Sequence, residues 1–589
     1  MIVTGWSRWC GRRSAKASGV HECDQQAGFR GRCRMQGNTR ILRSGALLAC
    51  FMLCCVAVAR AQLADAEAIR AYLEGLDAGA EPVVSGRRLE RPEVLSQVYR
   101  SRDHAPVWLP EAPLEEAVPG LLAAIDESAS HGFVPARYHR ADIEQLWAAQ
   151  PTDLPRRLAL ELLLTDAFLT QALHRSRGVV APPDLDENWR LPPTELDAAA
   201  LLQVAAREGH SVHPVLQSLW PTSADYALLL KRRAEILSME AAESVSVSPG
   251  PLLRPGDSGE RVLQLKRRLL GPGDYTPEYD AGLRREVIAF QLAAGLDADG
   301  VVGANTLEVL NASRVSWIDR IDANLERWRW LPREMPETYL RVNIAAYTLR
   351  AFEQGEPTLS MNVIVGKPYR RTPVFAETLK YMVLNPYWNV PFSIATRDKL
   401  PLLQADAVAE AEKGFEVRPP AKDVFVPVDA IDWTPVTRRS FNYLLRQKPG
   451  PENALGNIKF MMPNPYAVSL HDTPSRELFA RQERSFSSGC IRLEQPLELA
   501  RWLLSREAHP QAERIEALML ARETLTINLK RPVPTYLVYL TAFATDTGEI
   551  AFRRDIYSRD AVLVEALRAS AAKSAEATAL DNNGTVSAS

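Results

Sequence analysis

Between about Ala64 and Met239 apolar residues recur at helical spacing. Leu158–Leu173 and Ala198–Ala206 show the pattern best, and breaks such as Ala181-Pro182-Pro183 separate one helix from the next. A small-residue, Pro-containing stretch, Ser244–Pro251, then reads as a linker. Leu253–Asn311 carries three further helical patterns. The first holds Val262, Leu265, Leu269 and Leu270, the second Val287, Phe290 and Gln291, the third Thr306, Leu307 and Leu310. The glycine-bearing segments Arg254–Gly259, Gly295-Leu296 and Asp299–Gly303 punctuate them, which predicts a three-helix bundle.

From Tyr339 the period changes from helix to strand. Leu340, Val342 and Ile344 alternate with other residues, and Leu359, Met361, Val363 and Val365 repeat the pattern after the turn at Gln354-Gly355, which predicts a hairpin. Further strands are expected at Tyr381–Leu384, Ala467–His471 and Leu525–Leu529, and a helix from about Pro496. The polar, Pro- and Asp-rich stretch of about 397–455 is long for a loop inside a domain and predicts a partly helical insertion of the lid or binding-loop kind.

At 589 residues the chain exceeds one core, and a prior of roughly 150 residues per domain suggests several units. The pattern divides it into a leader (1–61), a helical scaffold domain (62–243), the bundle (244–313), a β-rich domain (314–570) and an Ala/Ser/Asn-rich tail (571–589) expected to be disordered. The fold class is multidomain α+β. In the leader, Arg40 and Arg43 precede an apolar run, Ala46–Ala59, and an Ala59-Arg60-Ala61 cleavage pattern before Gln62, as in a secretory signal. The run falls short of the ~20 residues of a spanning helix, so a retained membrane anchor is the alternative. Met35 stands where an internal start would fit.

Removing the leader leaves 60 Lys/Arg against 70 Asp/Glu, a net charge near −10, which argues against a nucleic-acid partner. It also removes six of the seven cysteines. Cys490 remains alone, so an internal disulfide is excluded and the thiol is either reactive or a buried inert cysteine.

A thiol attacks carbonyls as thiolate and needs a base or a positive field beside it. The last 260 residues hold two histidines, His471 and His509. His509 precedes Pro510 with no chemistry around it; His471 ends an apolar strand and can be held rigidly, which makes it the base. Gly489 before Cys490 permits a sharp turn that would let the Gly489 and Cys490 N–H groups converge as an oxyanion hole. Taken singly, His471 could satisfy a backbone group and Arg492 could form a surface ion pair. The histidines of the helical part (His104, His131, His139, His174, His210, His213) show no metal-ligand spacing.

His471-Asp472-Thr473-Pro474 followed by Ser487-Ser488-Gly489-Cys490-Ile491-Arg492 resembles the motif of L,D-transpeptidases with the YkuD-type catalytic domain. Val365–Phe375 and Leu384–Pro391 agree with it, and Leu253–Asn311 resembles the peptidoglycan-binding domain of wall enzymes. With the helical front part and the insertion, the layout is similar to the large multidomain Gram-negative branch. The resemblance implies Cys490 as nucleophile, His471 as base, the Asp472 main-chain carbonyl as its orienting acceptor, Gly489 and Cys490 as oxyanion donors, and Arg492 as a loop-ordering or carboxylate-meeting group. It implies a substrate groove with Ser487, Ser488, Asn385, Tyr387 and Trp388, where Tyr387 and Trp388 read equally well as core aromatics. Ser488 stands where many members have histidine.

The implied reaction joins diaminopimelate to diaminopimelate (3→3) in peptidoglycan, from tetrapeptide stems and with loss of D-alanine. It needs no metal or organic cofactor, and carbapenems should acylate the thiol. The implied setting is the periplasm, with peptidoglycan stems as partner and cell-wall synthases or glycosidases as further candidates. Two rivals stand beside it: a hydrolase or carboxypeptidase of the same fold, and a non-catalytic wall-binding scaffold.

Overall fold

The computed structural model describes residues 62–109, 114–206, 212–238, 245–294, 296, 298–420, 422–545 and 547–582. The leader and His210 lie outside them. In the helical part, α1 (Pro92–Arg100) and α2 (Leu114–Ser128) surround α3 (Leu154–Arg177). Asp153 caps α3 by accepting from the Arg156 N–H, Pro155 fits its first turn, and Gly178 at φ 81° ends it. Every residue from Ala159 to Arg175 is buried, so α3 is the axis of this part rather than a surface helix. Its two buried acids are matched: Glu161 accepts from the Val107, Trp108 and Leu109 N–H groups, and Asp166 from those of Glu90 and Arg91.

The bundle forms as its pattern predicts, from α4 (Glu260–Leu270), α5 (Ala281–Ala294) and α6 (Ala304–Leu310), around a separate core of Val262, Leu265, Leu283, Val287, Val302 and Leu310. The next helix, α7 (Arg314–Arg329), does not belong to the β-rich domain alone. Ile321 and Leu325 join the core shared by helical part and sheet, and Glu326 accepts from the Val179 and Val180 N–H groups. Helical part and sheet thus share one continuous apolar core.

The β-rich part consists of β1 (Thr338–Asn343), β2 (Thr348–Glu353), β3 (Glu356–Gly366), β4 (Phe375–Leu384), then, beyond the insertion's strands β5 (Trp388–Asn389), β6 (Phe415–Arg418), β7 (Val426–Pro427) and β8 (Leu444–Gln447), β9 (Ile458–Met461), β10 (Leu470–His471), β11 (Ser485–Ser487), β12 (Ile491–Leu493), α8 (Pro496–Ser505) and β13 (Leu525–Val538). A nine-stranded sheet runs β11-β3-β12-β10-β9-β4-β13-β1-β2, and β3 also pairs with β2, so the sheet closes on itself. Closure removes most free edges and turns Leu340, Val363, Leu379, Phe460, Leu470 and Ile491 into one interior.

Several strand expectations change. The expected hairpin is a three-strand meander, because Tyr347 at φ 56° turns the chain early and 348–353 forms a strand of its own. The expected strand 467–471 pairs only at Leu470–His471, since Ala467 at φ 54° leaves extended geometry. Strands 381–384 and 525–529 are parts of the longer β4 and β13, which pair with each other along most of their length. The tail correction is larger. The last described helix, α9 (Arg559–Asn582), runs through 571–582, where alanine-rich sequence favours helix over the expected disorder.

The insertion is a folded unit. Strands in the order β5-β8-β6-β7 cover a core of Leu400, Leu403, Phe415, Val417, Trp433 and Phe441, apart from the barrel's.

Candidate active site

The sheet places the thiol and the imidazole on adjacent strands. β10 and β12 run parallel, with Leu470 opposite Ile491 and His471 opposite Arg492. Leu470 and Ile491 point into the barrel and are fully buried. Because side chains alternate, His471, Cys490 and Arg492 point the other way. They open onto a cavity of about 1070 Å³ whose lining includes all three.

The geometry around the imidazole is specific. His471 Nδ1 lies 2.5 Å from the Asp472 main-chain oxygen, which accepts its proton and leaves Nε2 with the free lone pair. Burial, with Arg492 and Lys459 adding positive charge, pushes the His471 pKa down to about 3, against the pull of the Asp472 carbonyl. The imidazole is therefore neutral at physiological pH. The Asp472 carboxylate works elsewhere: it accepts from the Asn457 and Thr473 N–H groups and from Arg476, fixing the turn after β10.

Cys490 Sγ lies 3.7 Å from the Ala467 carbonyl oxygen and 3.9 Å from Ser469 Oγ, and no hydrogen bond joins it to His471. Its loop is braced from several sides. Ser487 Oγ donates to the Cys490 carbonyl, Thr372 Oγ1 donates to the Gly489 carbonyl, and Arg370 donates to Ser488 Oγ. Tyr557 donates to the Gly366 carbonyl and accepts from the Thr372 N–H, tying this brace to the C-terminal segment. Gly489 adopts φ 119°, a conformation that glycine tolerates and other residues rarely do. That turn points its N–H at Ser487 Oγ, 3.1 Å away, so the Gly489 N–H is engaged within the loop instead of facing the cavity. The expected pair of converging oxyanion donors is not present in this arrangement.

Comparison with known proteins assigns the segments. Residues 337–521 match the family model "L,D-transpeptidase catalytic domain", 258–310 the "Putative peptidoglycan binding domain", and 93–232 a "Scaffold domain". The barrel is an L,D-transpeptidase catalytic domain. A curated relative, "Putative L,D-transpeptidase" of Haemophilus influenzae, is 38% identical over 219 residues, which cover 37% of this chain and 44% of that one. A "Probable N-acetylmuramoyl-L-alanine amidase" of Bacillus licheniformis is 33% identical over 94 residues, 15% of this chain and 27% of that one. The chain thus spans less than half the length of either relative. A solved L,D-transpeptidase from Xylanimonas cellulosilytica aligns at 14% identity and TM-score 0.15, over 49% of this chain and 99% of that chain.

The transpeptidase domain sorts the expected groove residues. Trp388, Ser487 and Ser488 line the cavity. Asn385 does not: it is buried, and its amide donates to the Leu518 and Glu523 carbonyls, holding β4 against the segment before β13. Tyr387 lies outside the cavity lining, its ring 4.4 Å from the Arg446 guanidinium on the insertion's sheet. Sequence reasoning missed Lys459, whose place opposite His471 on β9 puts a half-sheltered ammonium in the field of Cys490. It also missed a wall from the helical part. The Asn188 carbonyl accepts from the Val374 N–H and the Val374 carbonyl from that of Arg190, which brings Asp186, Glu187 and Trp189 to the cavity. No local signal in 182–189 announces this contact.

Among the described residues no group of three or more His, Cys, Asp and Glu could hold a metal ion, and no helix is long and apolar enough to cross a membrane.

Proposed function

We propose that the chain is an exported peptidoglycan L,D-transpeptidase acting in the periplasm and forming 3→3 cross-links. The observation that carries this reading is the parallel pairing of β10 and β12, which turns His471 and Cys490 into one cavity inside an L,D-transpeptidase domain. A peptidoglycan-binding segment in the same chain agrees with a wall substrate.

In the proposed cycle the thiol leaves the Ala467 carbonyl and gives its proton to Nε2 of neutral His471. The thiolate attacks the carbonyl at the L-centre of diaminopimelate in a tetrapeptide stem. The Cys490 N–H, which makes no hydrogen bond among the described residues, donates to the oxyanion; Gly489 does not share that task unless Ser487 releases it. Collapse breaks the amide to D-alanine, whose nitrogen takes the proton from His471, and leaves a Cys490 thioester. The side-chain amine of a neighbouring diaminopimelate then gives its proton to His471, attacks the thioester and returns the thiol. Arg492 and Lys459, both close enough to feel the sulfur's charge, stabilise the thiolate.

Purified protein incubated with disaccharide-tetrapeptide should give 3→3 dimers and free D-alanine by mass spectrometry, and Cys490→Ala should give neither. Tripeptide without dimer would mark water as the acceptor. Dimer formation undiminished in Cys490→Ala would overturn the proposal. Meropenem should add its mass to the wild-type chain at Cys490.

A further inference from the structure

The cavity wall is unusually cationic. Eight Lys/Arg side chains line it against three Asp/Glu. Four of the eight are already in ion pairs. Arg559 binds Asp186, Arg327 binds Asp560, Lys399 binds Glu410, and Arg370 binds both oxygens of Asp398. Lys367 and Arg397, like Arg492, make no side-chain ion pair or hydrogen bond among the described residues. They flank Asp398, whose carboxyl is held below the usual range by hydrogen bonds from Arg370, with Lys367 and Arg397 adding their fields.

Three cations around one carboxylate leave an excess of two positive charges. The cluster joins three segments: the loop after β3 (Lys367, Arg370), the first turn of the insertion (Arg397, Asp398), and the cysteine loop, through the Arg370 bond to Ser488 Oγ at 2.8 Å. A surplus of this kind at a cavity rim repels cationic ligands and attracts anions. Guanidinium and ammonium groups with unused donors are suited to a carboxylate.

We infer that Lys367 and Arg397, positioned around the Arg370–Asp398 pair, form a subsite for a free carboxylate of the peptide whose carbonyl Cys490 attacks. This rests on the transpeptidase reading. A tetrapeptide stem offers two such groups near the scissile bond, the C-terminal carboxylate of D-alanine and the side-chain carboxylate of diaminopimelate. Binding there seats the stem between the insertion and the cysteine loop.

The test uses the full chain carrying Cys490→Ala, so that binding is measured without turnover. Calorimetry compares disaccharide-tetrapeptide with the same compound bearing a carboxamide on D-alanine, or on the diaminopimelate side chain. One of the two amides should bind about five- to tenfold more weakly than the free acid. Adding Lys367→Gln and Arg397→Gln should weaken the free acid to the level of that amide and leave the amide nearly unchanged. The arm that loses affinity identifies the carboxylate. Equal affinity for all three compounds, a preference that survives both substitutions, or no binding of the free acid overturns the inference. Failure of the transpeptidase reading is separate, because wild-type protein would then release no D-alanine even where the affinity difference holds.

Discussion

Two regions of this molecule bury histidines as neutral bases, and they do different things with them. In the helical part, burial pushes His131 down to about 3, with Arg329 and Arg175 assisting, and drives His174 well below its ordinary range. His131 stacks on Trp220 with ring centroids 3.7 Å apart and bonds Tyr226, while His174 is held between Tyr138 and Arg91. In the barrel His471 is pushed down equally far, yet it faces an open cavity with a thiol on the next strand. A depressed basicity therefore marks burial, not catalysis. Access and a nucleophilic neighbour separate the two cases.

The comparison can be broken by exchange. His471→Gln should lower the rate of D-alanine release by about 10²- to 10⁴-fold in a folded protein, the span usual for losing a general base. His174→Gln should leave the rate per folded molecule almost unchanged and lower stability by about 1–3 kcal/mol through the unmatched Tyr138 and Arg91 groups. Rates with the stem substrate and denaturant unfolding of both variants check this. An inactive, stable His174→Gln protein would contradict the distinction.

Next in size is Gly489→Ala. A Cβ there would meet little, its nearest neighbour being the Arg371 carbonyl oxygen at 3.8 Å, so the cost is conformational and about 1–2 kcal/mol. The loop should shift and catalysis should fall more than stability does, as kcat measured beside thermal unfolding would show.

Shared burial makes a pH prediction for both regions. Unfolded histidine takes up its proton near 6.5, whereas His131 and His471 do so only near 3 when folded. Between those values the unfolded chain binds more protons, so the stability these groups confer is present above about 6.5 and is lost as pH falls toward 3. Unfolding midpoints measured from pH 7.5 to 4.5 should decline, and His471→Gln should decline less steeply.

The smallest expected effect concerns the field around the sulfur. Arg492→Gln should slow alkylation of Cys490 by iodoacetamide at pH 7 by about three- to tenfold, with the fold intact.

Much of the site could be read from the sequence because its parts are local. Ser487–Arg492 is one loop and short strand, and His471 is the candidate base that the residue count left. The bundle was equally legible, since its apolar spacing and glycine turns are short-range. What stayed hidden depends on contacts far apart in the chain. Lys459 reaches the site through sheet register, and Asp186 and Glu187 arrive through a bridge between Trp189 and Val374. The engagement of the Gly489 N–H also stayed hidden, because its direction depends on Ser487 Oγ, which composition does not reveal. Asn385 looked available beside aromatic residues, yet its amide is spent on Leu518 and Glu523 carbonyls that pass behind β4.

In the proposed cycle the Cys490 sulfur becomes the acyl carrier, with His471 as its proton partner. Intact-protein mass spectrometry after brief mixing with disaccharide-tetrapeptide tests this directly. Wild-type protein should carry an adduct on Cys490 with the mass of the stem lacking D-alanine, and His471→Gln should acquire it far more slowly. A wild-type chain that releases D-alanine without ever carrying the adduct, or an adduct that persists in Cys490→Ala, would contradict it.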